Sequence, residues 1–257
     1  MVRHFSAIKA MTTIVLLAIL GGCDSENAPD CVQTAGEEVA ISYSLPPFNK
    51  ITIYDRVGLE ITQGSEQLIT LVTGQNLVND IEIMVEDGRL LVVNNNTCNL
   101  TREYGKTVLK VTVPELVEIR SSTGNDIVST NTITTPSLKL LSTDGPEEDF
   151  YHSNGDFILD LDVDVLEIET TNLSNFYLRG KATNSSLTWW SGDGILDASN
   201  LEIQEAQIFH RGTADWHLNV VTRLSGVING YGNVYVRQRP ATIDVLETWR
   251  GRLIIGN

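Results

Sequence analysis

Apolar and polar residues alternate through most of this chain with a period of two. Between Phe48 and Pro114 the alternation marks six strands: Ile51–Tyr54, Gly58–Ile61, Leu68–Val72, Ile81–Val85, Leu90–Val93 and Val108–Val113. β-Branched residues dominate these runs, and turn signals such as Glu86-Asp87-Gly88 separate them. After residue 22 no run of apolar residues falls at helical spacing between caps, so the expected class is all-β.

From Leu116 a longer period is superimposed. A small or polar turn residue precedes an apolar one in Asp156-Phe157, Asn175-Phe176, Gly194-Ile195, Asp215-Trp216, Asn233-Val234 and Arg252-Leu253. The apolar members follow one another at intervals of 19, 19, 21, 18 and 19 residues. Asp126-Ile127 stands 30 residues before Phe157, which predicts an insertion, placed at Pro146–Asn154. A fixed period of this size predicts a parallel β-helix, a solenoid with rungs of about 19 residues, continuous with the β-rich N-terminal half. Each rung is expected to hold a short strand (Leu138–Leu140, Leu166–Ile168, Leu187–Trp189), a turn, and a second strand starting at the apolar anchor.

The first residues change the picture. Arg3 and Lys9 precede the ten-residue apolar run Met11–Leu20, and no acid occurs before Asp24. As a helix that run spans about 15 Å, half of a hydrocarbon core of about 30 Å, so it reads as a secretory signal and not a membrane span. Leu20-Gly21-Gly22-Cys23 looks like a bacterial lipobox, with Cys23 as the lipidated residue and the membrane as a partner through that anchor. The expected organisation is a lipoprotein signal peptide over 1–22, an acidic tether over 23–43, an N-terminal β region over 44–115 and a repeat region over 116–257. Two other cysteines, Cys31 and Cys98, remain for an oxidising compartment, and pairing is expected.

The chain of 257 residues has a formal charge of −15, which becomes −17 once Arg3 and Lys9 are removed. That balance argues against nucleic acid as a partner. It is compatible with a solvated surface, cationic ligands or divalent ions.

The turns Gly124-Asn125-Asp126-Ile127, Ser191-Gly192-Asp193-Gly194-Ile195 and Gly230-Tyr231-Gly232-Asn233-Val234 resemble those of the head GIN domain, a family catalogued as autotransporter adhesins. Phe48-Asn49-Lys50-Ile51, Leu59–Gly64, Asp87–Leu90 and Val111–Pro114 are similar to its upstream half. The tract from Asn95 to Tyr104 resembles a subgroup found on lipoproteins of Gram-negative bacteria. The likeness covers about Phe48 to Gly256. It implies a β-solenoid and an extracytoplasmic location, and it supplies no catalytic residues; together with the lipobox, the expected place is the bacterial cell envelope, as an outer-membrane lipoprotein exposed at the surface. Leu173-Ser174-Asn175, Gly212–Asp215 and Arg250-Gly251-Arg252 lack the full glycine set of the family's turns.

Candidate chemistry is sparse. Asp160, Asp162 and Asp164 line one strand face and form a weak calcium candidate. Val165 and Thr171 stand where an EF-hand needs Gly and Glu, and same-face residues lie about 6.6 Å apart along a strand. The histidines His152, His210 and His217 show no zinc spacing, and no cofactor is expected. No nucleophile elbow, P-loop or dinucleotide fingerprint occurs.

Aligning the repeats on their anchors brings Tyr151, Thr170, Trp189 and His210 together six positions before the anchor. His152, Thr171, Trp190 and Arg211 meet at five before it, and Tyr177, Leu196, His217 and Tyr235 at one after it. Trp189 and Trp190 must face opposite ways, one into the core and one outward. The outward ring beside hydroxyl and cationic groups is a candidate sugar platform. The expected function is a lipid-anchored binding or adhesion module for glycans, surface polymers or a surface protein. The alternatives are a carbohydrate-active enzyme, a polysaccharide lyase or hydrolase using paired acids, and a purely structural envelope spacer.

Overall fold

The computed structural model describes residues 31, 33–54, 56–96, 98, 100, 105–143, 154–171 and 173–256. The signal segment, Cys23, Tyr151, His152 and nearly all of the insertion at 146–154 lie outside them. Among the described residues seventeen strands carry the fold. In chain order they are β1 (Glu38–Tyr43), β2 (Lys50–Tyr54), β3 (Gly58–Gln63), β4 (Leu68–Gly74), β5 (Ile81–Glu86), β6 (Arg89–Asn94), β7 (Val108–Val113), β8 (Glu118–Ser122), β9 (Ile127–Ser129) and β10 (Ile133–Ser142). There follow β11 (Phe157–Thr170), β12 (Phe176–Trp189), β13 (Leu196–His210), β14 (Trp216–Ile228), β15 (Val234–Val236), β16 (Thr242–Glu247) and β17 (Leu253–Ile255). One 3-10 helix, Gln75–Asp80, joins β4 to β5.

The architecture is all-β, a strongly curled open sheet in the form of a half-barrel. Its strands run in two stacks. In one the order is β5, β6, β2, β8, β10, and in the other β1, β4, β7, β3, β9. The stacks merge in β11 to β14, which pair in parallel one on the next, then part again into β16 and into β15 with β17. The two strands expected in each repeat are therefore one strand of 13 to 15 residues. The pairing skips one residue at the bend, Asp164 in β11, and resumes at Val165; these two successive exposed positions reverse the phase of burial. The N-terminal half departs from a uniform parallel stack: β1, β4 and β5 are antiparallel additions. The β5–β6 reversal is forced by Asp87 and Gly88, both at positive φ (48° and 72°), the combination of a tight two-residue hairpin.

The recurring polar–apolar pair has a hydrogen-bonding cause. A side-chain oxygen in one turn accepts a backbone N–H from the next repeat. Asn175 Oδ1 accepts from Ile195 N at 2.9 Å, Asp215 Oδ1 from Asn233 N at 2.6 Å, and Asn233 Oδ1 from Arg252 N at 3.0 Å. The apolar partner then points inward. Ile127, Phe157, Phe176, Leu196, Trp216, Val234 and Leu253 stack in register. Leu196, not Ile195, is the anchor that follows Phe176. Ile195 takes the turn position and is exposed, while Leu196 is fully buried. Burying each such side chain contributes about 1.5–3 kcal/mol.

The expected tether ends too late. Glu38–Tyr43 forms β1, paired with β4 from Glu38↔Gly74 to Tyr43↔Ile69. Ahead of it, Gln33 Nε2 donates to Asn76 O at 3.0 Å, and Cys31 forms a disulfide with Cys98. Among the described residues no helix is long and apolar enough to cross a membrane.

Candidate functional site

Strand register turns sequence intervals into rows of neighbours. Thr170, Trp189 and His210 lie side by side on β11, β12 and β13, all facing inward and inaccessible to solvent. They belong to an aromatic column. Phe157 stacks on Phe176 with centroids 4.5 Å apart, Phe176 meets Trp189 edge-on at 5.1 Å, and Trp189 meets Trp216 at 4.6 Å. The Trp189 indole donates to Gly194 O at 3.1 Å, which satisfies its polar atom within the core. Half of the predicted platform is therefore core.

The other half faces out. Trp190 N donates to Thr170 O and Arg211 N to Trp189 O, which places Thr171, Trp190 and Arg211 in the adjoining row. Trp190 is 48% exposed and its ring lies 5.2 Å from that of Phe209, tilted by 48°. The Ser191 hydroxyl donates to Thr171 O at 2.8 Å, and Thr213 Oγ1 bonds Asp193. An apolar ring pair thus sits at a corner edged by hydroxyls and an exposed guanidinium, open to a ligand lying on its surface.

A second outward row was half visible in the sequence. Ile158, Tyr177, Asp197, His217, Tyr235 and Ile254 are successive neighbours on β11, β12, β13, β14, β15 and β17. His217 and Tyr235 stack at 5.1 Å with planes 13° apart. The alignment on Ile195 set Leu196 in this row where Asp197 belongs; the interval of 20 from Leu196 to Trp216 was the signal that could have corrected it. Two shallow hollows flank the row. One of about 300 Å³ is bordered by Ile158, Tyr177, Arg179 and Asn200, and one of about 450 Å³ by Asn200, His217, Tyr235 and Arg237.

The family described as "Putative auto-transporter adhesin, head GIN domain" matches residues 47–240. The chain belongs to the head GIN domain family. A "putative adhesin" from Bacteroides fragilis NCTC 9343 is similar in structure, with a TM-score of 0.76 and 19% identity over 86% of this chain and 99% of the other. A "putative lipid binding protein" from Parabacteroides distasonis ATCC 8503 gives 0.63 and 14% over 85% and 97%, and a "putative adhesin" from Parabacteroides merdae ATCC 43184 gives 0.55 and 19% over 86% and 97%. At these identities the likeness is one of fold. No curated protein matches.

Two further features of this GIN domain bear on its chemistry. The aspartates considered for calcium are engaged by the neighbouring strand: Asp160 pairs with Arg179 at 2.9 Å and Asp162 with Lys181 at 3.1 Å. Asp164 lies at the bend, exposed. Among the described residues no three His, Cys, Asp or Glu side chains could hold a metal together. His210, by contrast, is held neutral. Burial lowers its pKa from 6.5 to about 4, outweighing the nearby Ala214 backbone and Asp215. Its Nδ1 accepts from Gly212 N at 3.4 Å, and its ring packs 4.2 Å from that of Trp216. It serves the core and is unavailable as an acid or base.

Proposed function

We propose that this GIN domain is an envelope adhesion module, anchored by lipid at Cys23, that binds glycans or like surface polymers on the lateral face of a solenoid with rungs of about 19 residues. The observation that carries the reading is Trp190, a large ring left 48% exposed and braced by Phe209 while its chain neighbour Trp189 is wholly buried. Such a ring offers C–H stacking to a sugar face, and Thr171, Ser191 and Arg211 supply groups for its hydroxyls. A repeating polymer also suits the scaffold, since strand stacking presents side chains every ~4.8 Å in rows. The anchor is supported by the apolar run before Gly21-Gly22-Cys23. Two or more acyl chains there would hold the body stably, at about 0.8 kcal/mol per buried CH₂.

The test is a glycan array probed with the wild type and Trp190→Ala, with thermal melting as the control. Binding lost in a variant that melts like the wild type supports the site; binding kept overturns it. Membrane fractionation of Cys23→Ala addresses the anchor separately: retention in the detergent phase with other lipoproteins would defeat that part.

A further inference from the structure

Charge is unevenly spread along this molecule. The segment from Ala206 to Asn257 holds six arginines, no lysine and three acids, within a chain of net charge −15. Five cations of earlier strands are paired with carboxylates: Arg89 with Glu118, Lys110 with Glu60, Lys139 with Glu169, Arg179 with Asp160 and Lys181 with Asp162. Arg223, Arg237, Arg239 and Arg250 have no carboxylate partner among the described residues. The last of these lies over the Tyr231 ring, 5.4 Å from its centroid, and Tyr231 meets Trp249 edge-on at 6.4 Å. Both rings are more than half exposed.

From these observations we infer that the C-terminal end of the stack is a docking site for an acidic polysaccharide, a polymer of sugars bearing carboxylate or sulfate groups. Its rings lie two repeats from Trp190 along the same edge, since Thr213 N donates to Gly192 O and Tyr231 N to Gly212 O. Arginine's planar fork suits such oxyanions, and the use of arginine to the exclusion of lysine fits that geometry. Tyr231 and Trp249 supply rings for the sugar faces between the charges. Charge density selects the class of polymer. Duplex nucleic acid carries a charge about every 1.7 Å and is bound through many clustered cations. Here the unpaired arginines are few and spaced: Arg223 borders a hollow with Glu205, Arg237 one with His217 and Tyr235, and Arg250 stands at the two rings, while the rest of the body is strongly acidic. A polymer with one charge per sugar or fewer meets this arrangement with less repulsion.

The test measures binding of the full-length chain, in non-ionic detergent, to polygalacturonate, uncharged dextran, a single-stranded oligonucleotide and vesicles of anionic phospholipid. Polygalacturonate is expected to bind, more weakly as salt rises. Arg250→Ala and Trp249→Ala should each weaken that binding, and together by tenfold or more, whereas Trp190→Ala leaves it unchanged. Both substituted residues are exposed, and an unchanged melting temperature shows that the variants fold. The inference is overturned if polygalacturonate does not bind, if dextran binds equally, if the oligonucleotide or vesicles bind more tightly, or if the double variant binds as the wild type does. Loss of polygalacturonate binding in Trp190→Ala would overturn it too, by merging the two sites.

Discussion

The two ends of the stack are finished differently. At the first end the parallel strands are closed by antiparallel ones: β5 folds back on β6, β4 covers β7, and β1 lies on β4. The Cys31–Cys98 bond fastens the same region. At the other end β16 and β17 each pair on one side among the described strands, with Leu246 61% exposed and Val245 and Leu253 half-buried. Stacked repeats need a terminal unit that hides the last apolar layer and blunts its edge. The first end meets that need with extra strands, and the second with charged residues along the edge, Asp244 and Glu247 on β16 and Arg252 beside β17. The interiors differ as well. Ile51, Ile53, Leu59, Ile61, Leu90 and Val92 fill the capped half, whereas the open half is built round Phe157, Phe176, Trp189 and Trp216.

The largest effect should come from breaking the aromatic column. Trp189→Ala is expected to cost about 3–5 kcal/mol, the usual range for deleting a core tryptophan. Chemical denaturation of the variant measures it, and a loss below about 1 kcal/mol would mean that the open half does not depend on the column.

Next comes the clasp on the capped end. Cys31→Ser should cost about 4 kcal/mol, by loop-closure entropy for a bridge spanning 67 residues. Unfolding with and without reductant should show the same loss in the wild type alone. Thiol titration of the denatured, unreduced protein should find neither cysteine free.

Acid acts on the open half. An unfolded imidazole titrates near 6.5 and buried His210 at about 4. Between those values the unfolded chain takes up the proton and the folded one does not. Stability from this residue is therefore full above about pH 6.5, declines as pH falls, and levels off below about 4, a span of roughly 3 kcal/mol. Melting curves between those limits should lose that slope in His210→Leu; an unchanged slope would assign the acid sensitivity elsewhere.

The smallest effect separates core from surface. Trp190→Ala should change stability by no more than about 0.5 kcal/mol, and matching melts for the two tryptophan variants would erase the distinction between the two faces.

How much of this was readable in advance varied with the kind of signal. The six strands between Phe48 and Pro114 were legible because β-branched and other apolar residues dominate each run and turn residues separate them. β1 was not: Glu38–Tyr43 alternates too and is as long as β3, but its two faces differ only between exposed and half-buried, so charge masked it. The opposed facings of Trp189 and Trp190 follow from the strand period alone. Which of them is buried depends on Gly194 and Trp216 lying beside the inner ring, a tertiary fact. The engagement of Asp160 and Asp162 was within reach, since Arg179 and Lys181 follow them by the same nineteen residues that separate Phe157 from Phe176. The stacked pair His217 and Tyr235 was placed correctly, while Asp197 was missed through a one-residue slip at Ile195.

The position of the Cys31–Cys98 bond also has a mechanical consequence. A pull on the two ends of the chain runs along the stacking direction, parallel to the interstrand hydrogen bonds, and peels strands one after another from the open end. On the capped side the bond short-circuits the tension: load entering at Cys31 passes directly to Cys98. The residues between them, including β1 through β6, cannot be drawn out, which withholds on the order of 230 Å of contour at about 3.4 Å per residue. Under strain the molecule would lengthen from its far end while its base kept its shape.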